Sequence, residues 1–176
     1  MQRYLYNTCL LFKAMLHEDM DFENLPALLK ADQELKRIDH LIFVSLKYTR
    51  TVDVFKSIIG RLVNTGSYLM QALLDYAKEN GFIDAYPDNS ALQAELIKGL
   101  YSSCKPIMDM VDSHKFFRRL NRAEYEKSNE FRRHVTMTVF DGDVTHEIKM
   151  DNLTQYYKDL KEEFTVIKEF LGKNKE

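Results

Sequence analysis

Residues 35–78 read LKRIDHLIFVSLKYTRTVDVFKSIIGRLVNTGSYLMQALLDYAK, and their periodicity sets the fold class. Alternating steps of three and four from Ile38 land on Leu41, Ser45, Tyr48, Val52, Phe55, Ile59, Leu62, Gly66, Leu69, Leu73 and Tyr76. Only Ser45 and Gly66 interrupt the apolar series, which is the spacing of one helical face. Val44, Ile58 and Ala72 flank it on one side; Ile42, Val63 and Met70 flank it on the other. A helix apolar on so many sides is surrounded by neighbours. As one helix the stretch would run about 66 Å at 1.5 Å per residue, while a compact domain of this size is roughly 40 Å across. Either the helix breaks, with Gly60 to Gly66 the weakest stretch, or it projects and a second copy covers it. The unbroken phase favours a long helix, straight or bent, in a homo-oligomer.

Outward from this segment, Leu5, Cys9, Phe12 and Leu16 predict a first helix over about 2–17, and Pro26 sits in the first turn of the next. Asn80-Gly81 supplies a left-handed C-cap. Asp88 or Ser90 caps a helix from Ala91 to Tyr101, and Pro106 opens another towards Leu120, with 123–131 as its polar extension. At Arg133 the pattern changes to period two. Residues 133–150 read as one antiparallel hairpin turning at Asp141-Gly142. Pairing Phe140 with Asp143 sets Val139 against Val144, Met137 against His146 and Val135 against Ile148 on an apolar face. Thr138 with Thr145, Thr136 with Glu147 and His134 with Lys149 form a polar one. An amphipathic helix from Asp151 or Asn152 through Leu171 closes the chain. The expected fold is mainly α: one domain over 1–176, with five or six helices around one long central helix and a single β-hairpin before the last.

Composition excludes several classes. The 176 residues are 45% apolar and 30% charged with a formal charge of −2, which allows a packed core and argues against a globally polybasic chain. No apolar run approaches the roughly 18 residues of a membrane span. Cys9 and Cys104, the two cysteines, form no short-spaced motif, so a reduced cytoplasmic protein is expected. None of the five histidines follows a Glu by three residues on a helix, and His-Glu-x-x-His and Cys-x-x-Cys are absent, so no metal is expected. Glycine-rich phosphate loops and the Gly-x-Ser-x-Gly elbow are missing too, and no cofactor is expected.

What remains is charge. From His114 to His134 there are seven Lys and Arg against three Glu, in a chain otherwise net negative. Arg118 and Arg122 lie one helical turn apart. The expected site is a basic surface of Arg118, Arg119, Arg122, Arg132 and Arg133, extended over the hairpin by His134 and Lys149. It fits an anionic partner, RNA or a phosphate-bearing ligand, bound by a non-enzymatic homo-oligomeric protein. The competing reading is a small enzyme on a phosphorylated or nucleic-acid substrate, with His134 as general acid or base. A purely structural assembly subunit is the third. On the long helix, Lys36 is expected to pair with Asp39 and Arg50 with Asp53 as helix-surface or subunit-interface ion pairs, with a cleft of Tyr48, Arg50 and Asp53 the less favoured alternative. Ser45 and Gly66 either admit a bulky neighbour or leave room for a ligand, and close packing favours the first.

Overall fold

A computed structural model describes residues 26–172. The predicted helix over 2–17 lies outside the described residues. Within them the chain is mostly helical, with five helices and a three-stranded antiparallel sheet. Helix α1 spans Pro26–His40 and continues through a π-helical turn, Leu41–Ser45, into a last α-turn, Leu46–Tyr48. Then come α2 (Val52–Glu79), α3 (Ser90–Leu100), α4 (Lys105–Arg122), strands β1 (Glu124–Ser128), β2 (Thr136–Asp141) and β3 (Val144–Ile148), and α5 (Met150–Gly172). Helix α2 packs on α1, α3, α4, α5 and β2. From Phe55 onward, every seam position of α2 is buried, including Gly66.

The break in the 35–78 stretch falls at Thr49–Thr51 rather than at Gly60 to Gly66. Thr49 and Thr51 are extended, and the N–H of Val52 is capped by the Glu130 carboxylate, 3.2 Å away and 78 residues downstream. The N–H of Phe131 also donates to the Arg50 carbonyl at 2.7 Å. The β1–β2 loop thus satisfies backbone groups that a break exposes. The 60–66 stretch stays helical because its inward face, Ile59, Leu62, Thr65, Gly66 and Leu69, is buried against its neighbours, while the hydroxyls of Thr65 and Ser67 bond back to the carbonyls of Arg61 and Val63. Helix α2 alone is 28 residues, about 42 Å. The apparent continuity of phase has a second cause. The π turn adds a residue, so α1 buries Leu35, Ile38, Ile42 and Leu46 while Tyr48 is 78% exposed.

The sheet departs from the expected single hairpin in two ways. Residues 124–128, expected to prolong the preceding helix, form β1 and pair with β2. The β2–β3 register is also shifted by two: Met137 faces Ile148, Val139 faces His146 and Asp141 faces Val144. The loop is therefore Gly142-Asp143, with Gly142 at φ +63° in the first central position, the placement of a type II′ turn. Because the slip is even, it exchanges partners without exchanging faces. Met137, Val139 and Ile148 still point into the core, and the ring of His146 stands edge-on to Phe116 of α4 at 5.5 Å.

Gly81 (φ +73°) closes α2 as expected, whereas Asn89 rather than Asp88 or Ser90 caps α3, its side chain accepting from the Ala91 N–H at 2.8 Å. Helix α5 begins at Met150 rather than at Asp151 or Asn152, and Asn152, inside its first turn, accepts from the N–H of Lys149 at 2.9 Å.

Candidate functional site: a cationic cleft on helix α4

The apolar face of α4 fixes where its cations go. Ile107, Met110, Val111, Phe117 and Leu120 are buried, and His114 among them is only 1% exposed. Its imidazole lies where α2 has no side chain. A Cβ on Gly66 would meet His114 Cδ2 at 2.8 Å, so the seam glycine is there to admit this ring. His114 Nε2 is 3.0 Å from Ser67 Oγ, which also lies 3.0 Å from the Val63 carbonyl. A hydroxyl has one proton. Both contacts are satisfied together when Ser67 donates to the carbonyl and the imidazole N–H donates to Ser67. Burial, with the Arg118 charge second, lowers the His114 pKa to about 4, so the ring is neutral at pH 7. In that tautomer it does not activate Ser67 as a nucleophile.

With His114 as its floor, a cleft of ≈ 350 Å³ opens between α4 and the first turn of α3. Lys115, Arg118, Arg119 and Arg122 line one side; Ser90 and Ala91 line the other. Arg118 donates to Ser90 Oγ. Lys115 reaches Glu95 at 2.9 Å, and Arg119 reaches Asp141 at the end of β2 at 3.0 Å. Among the described residues neither Arg118 nor Arg122 is paired with a carboxylate.

The other expected site residues lie apart from these. Arg132 and Arg133 are exposed on the β1–β2 loop. His134 and Lys149 line a separate depression of ≈ 450 Å³ with Ser128, Asn129, Thr136, Thr138 and Glu147. Lys149 is paired there with Glu147 at 2.8 Å. Thr136, in this depression, and Asp141, the partner of Arg119, are five residues apart on β2, about 17 Å. Glu126 pairs across β1–β2 with Thr138, whose partner on β3 is Glu147, so carboxylates alternate with the cations on this face. Of the expected site residues, Arg118, Arg119 and Arg122 thus line one depression and His134 and Lys149 another.

The charges expected to pair along the long helix find other partners. Lys36 binds Asp32 at 2.6 Å rather than Asp39, whose carboxylate accepts from the Tyr157 hydroxyl at 2.8 Å. Asp53 pairs with Lys127 of β1 at 2.8 Å rather than with Arg50. Glu34, buried on α1, is held by Arg37 and by Arg61 of α2 at 2.9 Å. Lys56 donates to the Asn121 carbonyl at 2.7 Å and lies over the Tyr125 ring.

Sequence reasoning missed Glu163. Ser113 donates to its Oε1 at 3.2 Å, while Oε2 is buried without a partner among the described residues. Burial, followed by repulsion from Asp109 and Asp159, raises its pKa to about 7. Its position on the edge of the α5 stripe next to Phe164 was the available signal. Among the described residues no three His, Cys, Asp or Glu side chains are grouped to hold a metal, and no helix is long and apolar enough to cross a membrane. Comparison with known proteins finds no matching family model, curated protein or solved structure.

Proposed function

We propose that this is a non-enzymatic cytoplasmic binding protein that holds an anionic partner in the α4 cleft. One observation carries the reading: Arg118 and Arg122 share a concave site, one helical turn apart, without a carboxylate on either among the described residues. A solvated charged face normally interleaves its signs, as the sheet depression does here. Two guanidiniums left without counter-charges favour an anion from outside the chain. The enzyme alternative relied on His134, which is exposed on the rim of the sheet depression, while the buried His114–Ser67 pair is arranged as a structural contact.

The homo-oligomer component no longer has a projecting 66 Å helix behind it. Its support is a set of exposed apolar side chains near the Thr49–Thr51 break. Phe43 and Met150 line one depression with Arg50, whose carbonyl receives the N–H of Phe131, itself 77% exposed.

The test is Arg118→Glu combined with Arg122→Glu, read by titration calorimetry with inorganic phosphate and by anisotropy with a labelled 12-nucleotide RNA. Loss of at least about thirtyfold in affinity for whichever anion binds is expected, about 2 kcal/mol, since hydrogen bonds to charged groups are worth that or more each. Unchanged binding refutes the cleft.

A further inference from the structure

The cleft discriminates between kinds of anion, and this inference rests on its being an anion site at all. A polynucleotide presents charges recurring every few ångströms along its length. It needs a basic track to follow, and single strands also need exposed aromatic faces on which bases stack. The α4 cleft provides neither. From Lys115 to Arg122 it extends seven residues, about 10 Å along the helix. Carboxylates already take two of its four cations: Glu95 sits on Lys115, and Asp141 sits on Arg119. Its one aromatic ring, His114, is buried edge to edge against Gly66 and Ser67 and offers no stacking face.

Inside these limits the two guanidiniums left over, Arg118 and Arg122, match the demand of one tetrahedral dianion. Each can donate two parallel N–H bonds to its oxygens. The Ser90 hydroxyl, which accepts from Arg118, keeps its own proton to donate to the same oxygens. The volume of the cleft, ≈ 350 Å³, is at the small end of small-molecule sites.

A further basic depression, lined by Lys36, Arg37, His40 and Arg61, does not pass the same requirement. Asp32 neutralises Lys36, and buried Glu34 takes both Arg37 and Arg61.

We infer that the α4 cleft is a site for a single phosphate monoester on a small molecule, bound by Arg118 and Arg122 with Ser90, and not a nucleic-acid surface.

The experiment compares inorganic phosphate, O-phosphoserine and a 12-nucleotide oligouridylate against the full chain, each at several salt concentrations, with Arg118→Lys, Arg122→Lys and Ser90→Ala as variants. Circular dichroism melting confirms that each variant is folded. The expected result is that phosphate and O-phosphoserine both bind, competing for one site. Each Arg→Lys change, which keeps the charge but loses the paired donors, weakens them about tenfold. The oligouridylate then binds no more tightly than O-phosphoserine, with a log–log salt slope shallower than about −1.5, two phosphates or fewer.

A slope steeper than about −2.8, four phosphates or more, with the RNA tighter than either small anion, overturns this inference while leaving an anion-binding protein. Phosphate binding that ignores all three variants overturns it as well, because the anion then sits elsewhere. If no probe binds even at low salt, the inference and the proposed function fall together.

Discussion

Helix α4 and the open face of the sheet both carry cations of the expected basic surface, yet they have different electrostatic characters. On the sheet, Lys149 is neutralised by Glu147, and Glu126 stands in the same cross-strand row. In the α4 cleft, Glu95 takes Lys115 and Asp141 takes Arg119, leaving Arg118 and Arg122 without a carboxylate among the described residues. What separates the two is support as much as charge. The α4 cations stand on a helix whose buried face is keyed into α2 through His114 and Gly66. His134 and Lys149 stand on exposed backbone next to a loop in which Asn129 and Phe131 have positive φ. A binding site needs its charges held in place, and only the first group has that.

The largest effect that would sharpen this contrast is acid. His114 titrates at about 4 in the folded chain against an ordinary 6.5. Between those values the unfolded chain binds more protons, so this contribution to stability is complete above about 6.5 and is lost as pH falls towards 4. The full loss is roughly 3 kcal/mol. Glu163 works in the opposite sense: its raised pKa stabilises the fold at low pH, and that contribution is lost as pH rises from about 4.5 through about 7. Urea unfolding of Glu163→Gln between pH 4 and 8 therefore removes the opposing glutamate contribution. Stability should fall steadily from pH 6.5 to 4, and a flat profile would mean that His114 does not anchor α4.

Next in size is Gly66→Ala. The new methyl meets a buried ring at 2.8 Å, and overpacking of roughly 1–3 kcal/mol outweighs the gain of up to about 1 kcal/mol in helix propensity. A methyl group at Gly60, on the same helix, would meet nothing within 4 Å, so Gly60→Ala should stabilise by about 0.5–1 kcal/mol. Denaturant midpoints moving in opposite directions would confirm that the small residue at 66 serves His114. Two stabilised variants would mean that the ring is not keyed into that position.

The smallest effect belongs to the sheet face. His134→Ala and Lys149→Ala should each leave stability within about 0.5 kcal/mol and phosphate affinity unchanged within about twofold. If either costs as much affinity as a change at Arg118, the two cation groups act as one surface after all.

Much of this was legible in the residues because it is local. Period 3–4 marked the buried face of α2, period 2 marked the hairpin, and Gly81 and Asn152 act at the helix ends where their chemistry places them. The hairpin's inward face was also legible, since strand parity survives an even slip in register. The candidate site was half legible. Arg118 and Arg122 were identifiable as neighbours from helical spacing alone.

What the linear chain could not show depends on partners distant in sequence. The break at Thr49–Thr51 forms where Glu130 can cap Val52 from 78 residues away. Residues 124–128 are polar and short, and become a strand only because β2 offers them an edge. Which of the expected cations are paired and which are not was decided by where Glu95, Asp141 and Glu147 arrive in space. Residue type and spacing were enough for the mostly helical class, the inward faces and the supply of charge, because those follow from backbone periodicity and side-chain chemistry. Which charges remain unpaired was settled only when the chain folded, because an ion pair depends on distance through space and not on separation along the chain.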